Sequence, residues 1–150
     1  MITPIYSSFN QAQQQISDLA AIDYFFAKEI LLSLAGQKLS QDQQGLAFHL
    51  FIALSDSLRQ GHTCSPLSAL AKSAYGFASD EQGLVTHHGF TFPDLDQLHL
   101  AVNDFAIEPN SEAPIVYHQA ALYLRRYFLF EQQVSQDLMR RMQGDTTYQQ

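Results

Sequence analysis

The 150 residues contain a single cysteine, Cys64, so no internal disulfide can form, and the thiol is expected to stay reduced. Tryptophan is absent, and lysine and arginine number only 8 against 15 aspartates and glutamates. The resulting net charge of −7 argues against a free-standing DNA binder, because neutralising phosphates needs a basic surface. The glycines, at 36, 45, 61, 76, 83, 89 and 144, stand one at a time. Neither GxxxxGK[ST] nor GxGxxG occurs, so the usual phosphate-cradling loops are excluded. No apolar run approaches the roughly 20 residues that span a bilayer. The chain does not open on a basic stretch followed by an apolar one, as a secretory leader would. Together these absences predict a soluble cytoplasmic protein with no membrane partner, no bound cofactor and no metal.

What is present is enough for one core. A domain of this length buries roughly 68–70% of the surface its unfolded chain exposes. Charge is spread unevenly: of the basic residues, Lys28, Lys38, Arg59 and Lys72 are alone among the first 118 residues, whereas Arg125, Arg126, Arg140 and Arg141 crowd the end. Any basic contact is therefore expected near the C-terminus.

Helical periodicity is the main pattern. Ser8 and Gln11 read as a capping box opening a first helix. "IDYFFAKEILLSLAGQ" predicts a second, with Asp23 as N-cap, an apolar face from Phe26 to Leu34, and a left-handed Gly36 as its stop. Ser40 and Gln43 box a third, in which Ala47, Leu50, Phe51, Leu54 and Leu58 recur at helical spacing. Arg59 suits the negative end of that helix, and Gly61 ends it. "HTC" then reads as a short strand, with Ser65 capping and Pro66 opening a short helix that closes at Gly76. Residues 77–92 read as loop. Another helix starts near Pro93, with Leu95, Leu98, Val102 and Phe105 inside and Asp94 and Asp96 in its first turn. "PIVYH" and "ALYLRRY" form a hairpin turning at His118–Gln119. A last helix puts Tyr127, Phe130, Val134, Leu138 and Met142 on one face, with Gly144 beyond and a frayed tail. The expected fold is α+β, mainly α with a small β-hairpin. Its order, helix–strand–helix–helix–strand–strand, is winged-helix-like.

Three candidate chemistries reside in these segments. His62 and Cys64, two apart in "GHTCSPL", would share one face of a strand, as a thiol–imidazole pair would need. No orienting group or oxyanion site accompanies them, and a small buried thiol at a helix corner explains the pair as well. Adding His87 and His88 makes a conceivable zinc set, but the spacing fits no finger or ribbon. Arg125 and Arg126, set among Tyr123, Tyr127 and Phe128, could stack on single-stranded nucleic acid, pack as a hairpin, or meet another protein.

Two stretches carry a resemblance. "LSDSLRQGHTCSPLSAL", through Gly61, His62, Cys64, Pro66 and Leu67, resembles a motif of the RecD family, the alpha subunit of exodeoxyribonuclease V. "PIVYHQAALYLRRYFLFEQQVSQDL", through Pro114, Leu122, Tyr123, Leu124, Arg126, Tyr127 and Glu131, is similar to the same family's strand, turn, strand and helix. The resemblance spans roughly residues 20 to 140 and implies a single N-terminal assembly domain. The parent it implies is a 5′→3′ helicase subunit that uses ATP and magnesium, with its ATPase motif beyond this region. It also implies RecB- and RecC-type partners, chiefly the RecC-type, and work on double-strand breaks. On surface chemistry, the expected interface is Tyr123, Arg125, Arg126, Tyr127 and Phe128. The alternative is a winged-helix DNA-binding or regulatory module.

Overall fold

The computed structural model describes residues 5–148, with side chains for all of these except Glu131 and residues 143–148. Among the described residues, six helices and seven short antiparallel strands make an α+β arrangement. The core is built around α3 (Gln41–Arg59), with α2 (Ala21–Ser33) lying along it. One apolar stripe was the expectation for α3. Instead Phe48, Leu50, Phe51, Ile52, Ala53 and Leu54 are all buried, so the helix is enclosed on every side by the rest of the chain. Its capping box forms as the sequence predicts: Ser40 Oγ accepts from Gln43 N at 3.1 Å and Gln43 Oε1 accepts from Ser40 N at 2.8 Å.

The start of α2 differs from expectation. Its N-cap is Ala20, and Asp23 sits in the first turn, buried, with Oδ2 accepting weakly from Ala20 N. The carboxylate faces inward because Arg59, from the end of α3, meets it at two points, Nε at 2.9 Å and Nη2 at 2.7 Å. Ser55 Oγ donates a third hydrogen bond at 2.7 Å. Arg59 also reaches Asp56, which accepts from the hydroxyl of Tyr75 at 2.9 Å. Burial first, then the hydrogen bond to Asp56 and the nearby carboxylates, push the Tyr75 phenol pKa well above its ordinary value, partly opposed by the Arg59 charge. Arg59 is thus more than a favourable charge at a helix end: it ties α2 to α3. Asp23→Ala strands the buried Ser55 hydroxyl and opens the pair, and is expected to cost about 2–3 kcal/mol in chemical denaturation. Gly36 is not left-handed, and α2 ends three residues before it.

The corner after α3 is shifted from its predicted place. The strand β1 is Cys64–Pro66, not "HTC", and α4 is the single turn Leu67–Leu70 with Pro66 as its N-cap. The helix expected to close at Gly76 ends at Leu70 instead, and Lys72 just beyond it has φ +64°. The following loop contains four tiny strands: β2 (Ala74–Tyr75), β3 (Ala78–Ser79), β4 (Val85–His87) and β5 (Phe90–Thr91). They pair as β2–β5 and β3–β4 and rest against α1 (Phe9–Gln15), whose Gln15 bonds Gly89 twice. At the start of α1, Ser8 accepts from Gln11 N as expected, while the Gln11 amide oxygen turns to Ser7 instead.

α5 (Leu95–Asn103) is capped by Asp94 and buries Leu98 and Val102; Phe105 is buried just beyond it. The hairpin β6 (Ile115–His118) and β7 (Ala121–Leu124) joins β1 in a sheet of order β1–β7–β6. Its turn is Gln119–Ala120, one residue later than expected, with φ +50° and +63°, the left-handed pair a two-residue hairpin requires. The Ala120 carbonyl accepts from Leu67 N at 3.0 Å, so the turn also fastens the start of α4. The third strand relieves the marginal stability of a lone hairpin. α6 (Arg125–Tyr148) follows β7 without a loop and passes through Gly144, where the sequence suggested a stop. The end of the predicted frayed tail, residues 149–150, lies outside the described residues.

Candidate functional site

The thiol corner does not assemble a reactive site. Cys64 is half-buried rather than enclosed, while His62 is exposed, and no hydrogen bond joins them. It is the neighbouring Ser65 that is buried, opposite Leu122 in the sheet. The Cys64 carbonyl accepts from Ser57 Oγ at 2.9 Å, which holds the strand against the end of α3. Gly61, at φ +94°, turns the chain out of α3, and Leu67 is fully buried at the head of α4. "GHTCSPL" is therefore a structural corner. Cys64→Ser is expected to cost about 1 kcal/mol or less, read as a small fall in melting temperature, with partner capture unchanged. Among the described residues, no three His, Cys, Asp or Glu side chains are grouped to hold a metal ion.

An open cleft of about 810 Å³ lies elsewhere, between the start of α3 and β5. Its wall includes His49, which is buried, stacked on Phe90 at 3.9 Å between ring centres, and hydrogen-bonded at both nitrogens. The Gly45 carbonyl lies 2.6 Å from Nδ1 and the Tyr6 hydroxyl 2.6 Å from Nε2. Since a carbonyl can only accept, Nδ1 carries the proton and Tyr6 donates to Nε2. Burial lowers the His49 pKa to about 4, partly opposed by the Gly45 bond, and pushes the Tyr6 phenol up to about 12. The imidazole is neutral and fully used, which makes it a packing element of the cleft wall and no base for a substrate.

The junction of β7 with α6 holds the five residues predicted as an interface, and it divides them. Phe128 is buried, edge-on to His118 at 5.1 Å and to Tyr123 at 5.7 Å. It anchors α6 to the hairpin rather than facing outward. Arg125 turns back on the 108–113 turn, donating to the carbonyls of Ala113, Pro109 and Glu108 and to Ser111 Oγ. Its guanidinium is occupied within the chain, where sequence reasoning offered it to a partner. Arg126 and Tyr127 are the exposed pair, the guanidinium carbon 5.0 Å from the ring centre in a cation–π contact. Tyr123 is half-buried.

Beyond Phe128 every described side chain of α6 is exposed. That includes Phe130 at 68% and Leu138 at 53%, with Val134 between them. At 100° per residue these three and Tyr127 fall in an arc of roughly 80° on one side of the helix. Met142, also exposed, continues the spacing. Leu129 and Met139 are exposed elsewhere on the same helix. Monomeric proteins rarely show a contiguous apolar stripe of this length to water, and helices of this kind dock into grooves through such spaced anchors. Periodicity revealed the stripe in sequence; its outward direction could not be read there. Among the described residues, no helix is long and apolar enough to cross a membrane.

Residues 15–123 match the family model described as RecBCD enzyme subunit RecD, N-terminal domain. The match covers most of the chain, from the end of α1 through Tyr123 of β7, and stops before α6. No curated protein matches the chain.

Proposed function

The chain belongs to the family of RecD N-terminal domains of the RecBCD enzyme, and from that premise we propose that it is a non-catalytic assembly domain. On this reading it docks a 5′→3′ ATP-dependent DNA helicase motor onto RecB- and RecC-type subunits, chiefly the RecC-type, for double-strand-break repair and recombination in the cytoplasm. The helicase motor, with its ATP and magnesium, belongs to the parent subunit and not to residues 1–150. The observation that carries the reading is the exposed apolar face of α6, with Arg126 beside it, on a protein of net charge −7. Burying Phe130, Val134 and Leu138 in a partner's groove would remove them from water, at about 25 cal/mol per Å². Co-purification with RecB- and RecC-type subunits is the test. Capture by the RecC-type subunit is expected, and Leu138→Glu should weaken it at least about tenfold with the melting temperature unchanged. Absence of capture at micromolar concentration overturns the docking role.

A second reading, a winged-helix-like regulatory or DNA-binding module, draws on the order of α3, β1, α4, α5 and the hairpin, and on the sheet order β1–β7–β6. Charge weighs against the DNA part. α5, the helix before the hairpin, carries Asp96 and is flanked by Asp94 and Asp104, with no lysine or arginine. A gel shift on duplex DNA that weakens steeply with salt would favour this second reading over docking.

A further inference from the structure

α6 is fastened to the rest of the protein at its base. Among its described side chains, Arg125 and Phe128 alone are not exposed. Phe128 rests edge-on to His118 and Tyr123 of the hairpin, a ring contact about which a helix can still rock. Arg125 supplies a second attachment, about 60° further round the helix at 100° per residue. All three nitrogens of its guanidinium donate to one turn, residues 108–113: Nε to the Ala113 carbonyl, Nη1 to the Pro109 carbonyl at 3.0 Å, and Nη2 to the Glu108 carbonyl at 3.3 Å and Ser111 Oγ at 3.1 Å. The turn is itself tied, since Ser111 donates to the Glu108 carbonyl from both its N–H, at 2.9 Å, and its hydroxyl, at 2.8 Å. A planar fork held at several acceptors fixes direction as well as position, which a single ammonium would not. Nothing between β7 and α6 can absorb a tilt: Leu124 ends the strand, Arg125 starts the helix, and Arg125 N donates to the Pro114 carbonyl at 2.8 Å.

We propose that Arg125 is a positioning residue: by closing on the 108–113 turn it sets the angle at which α6 leaves the domain. The lever is long. Leu138 lies about 20 Å along the axis from Arg125, so a tilt of about 20° at the base carries it about 7 Å, more than one helical turn. The angle itself is independent of the docking reading, but the use made of it rests on that reading. Held in one direction, the Phe130–Val134–Leu138 face meets the partner subunit already aimed, and binding need not order the helix.

Pulsed electron paramagnetic resonance of the 150-residue chain is the test, with spin labels on Glu29→Cys and Gln136→Cys in a Cys64→Ser background. Both labelled sites are exposed. With Arg125 in place, one narrow distance is expected. Arg125→Met keeps the side chain's length and loses every donor, and should broaden or shift that distance by several Å with helical circular dichroism unchanged. Arg125→Lys should do so to a smaller extent. Ser111→Ala removes one acceptor of the fork without touching α6, and carries the same test if Arg125→Met does not fold. A broad distribution already present with Arg125 overturns the proposal. So does a distance that Arg125→Met leaves unchanged while the melting temperature falls, which would make Arg125 a stabilising residue only, and so does broadening that comes with loss of helical signal, which would mean that α6 unravels. Capture by the RecC-type subunit should weaken several-fold in Arg125→Met, although every apolar anchor remains, and unchanged capture despite a broadened distance overturns the use assigned to the angle. A wild-type chain that is not captured removes docking alone, and the label distances still decide the role of Arg125.

Discussion

Lowering the pH from 7 to 4 should destabilise the folded chain by about 3 kcal/mol through His49 alone. The imidazole is buried, stacked on Phe90 and hydrogen-bonded to the Gly45 carbonyl and the Tyr6 hydroxyl, and this environment suits only its neutral form. Its pKa is lowered to about 4 in the fold and is near 6.5 when unfolded. Between those values the unfolded chain binds a proton that the folded chain refuses. Stability from this group is therefore complete above about pH 6.5 and is lost as pH falls toward 4, where the folded state too begins to protonate. The measurement is chemical denaturation across that range for the wild type and His49→Gln. The variant should be less stable at pH 7 and should lack the component of the slope that lies between pH 6.5 and 4. Equal slopes in the two proteins would mean that His49 does not titrate in this way.

Gly89→Ala should cost about 3 kcal/mol or more, the largest effect expected of any single methyl group added to this chain. Gly89 has φ +72°, which disfavours every L side chain. Space is the greater obstacle: an added Cβ would lie 2.6 Å from the Tyr75 carbonyl oxygen and 2.7 Å from Phe77 N, both backbone atoms that cannot rotate aside. Gly89 is also the point where the small strands meet α1, since its N–H donates to the Gln15 carbonyl at 2.8 Å and its carbonyl accepts from the Gln15 amide at 2.7 Å. Thermal unfolding should show a fall well beyond that of Gly83→Ala, a control with open space around it and a similar φ of +84°. The comparison isolates the clash from the strain of a positive φ.

Local physics made part of this protein legible from its sequence alone. Ser40 with Gln43 announces α3, because a cap and its first turn are adjacent in the chain; Asp94, expected inside the first turn of α5, proves to be its cap. The hairpin of residues 115–124 follows from β-branched and aromatic runs around a short polar turn, and "GHTCSPL" with "LYLRRY" points to the family that the match over residues 15–123 establishes. The tertiary structure alone decided the rest, since each remaining feature depends on residues distant in sequence. Asp23 looks like a cap until Arg59, 36 residues away, draws it inward. The paired strands within residues 74–91 are two or three residues long, too short to leave a periodic signal, and are held by hydrogen bonds from Gln15 of α1 to Gly89 and from Ser17, just beyond α1, to Gly76. α3 and α6 both carry apolar residues at helical spacing, yet residues 46–55 of α3 are all buried, whereas the described side chains of α6 beyond Phe128 are all exposed. Spacing determines which residues share a face of a helix, but only the packing of the whole chain determines whether that face meets the core or is left for another molecule.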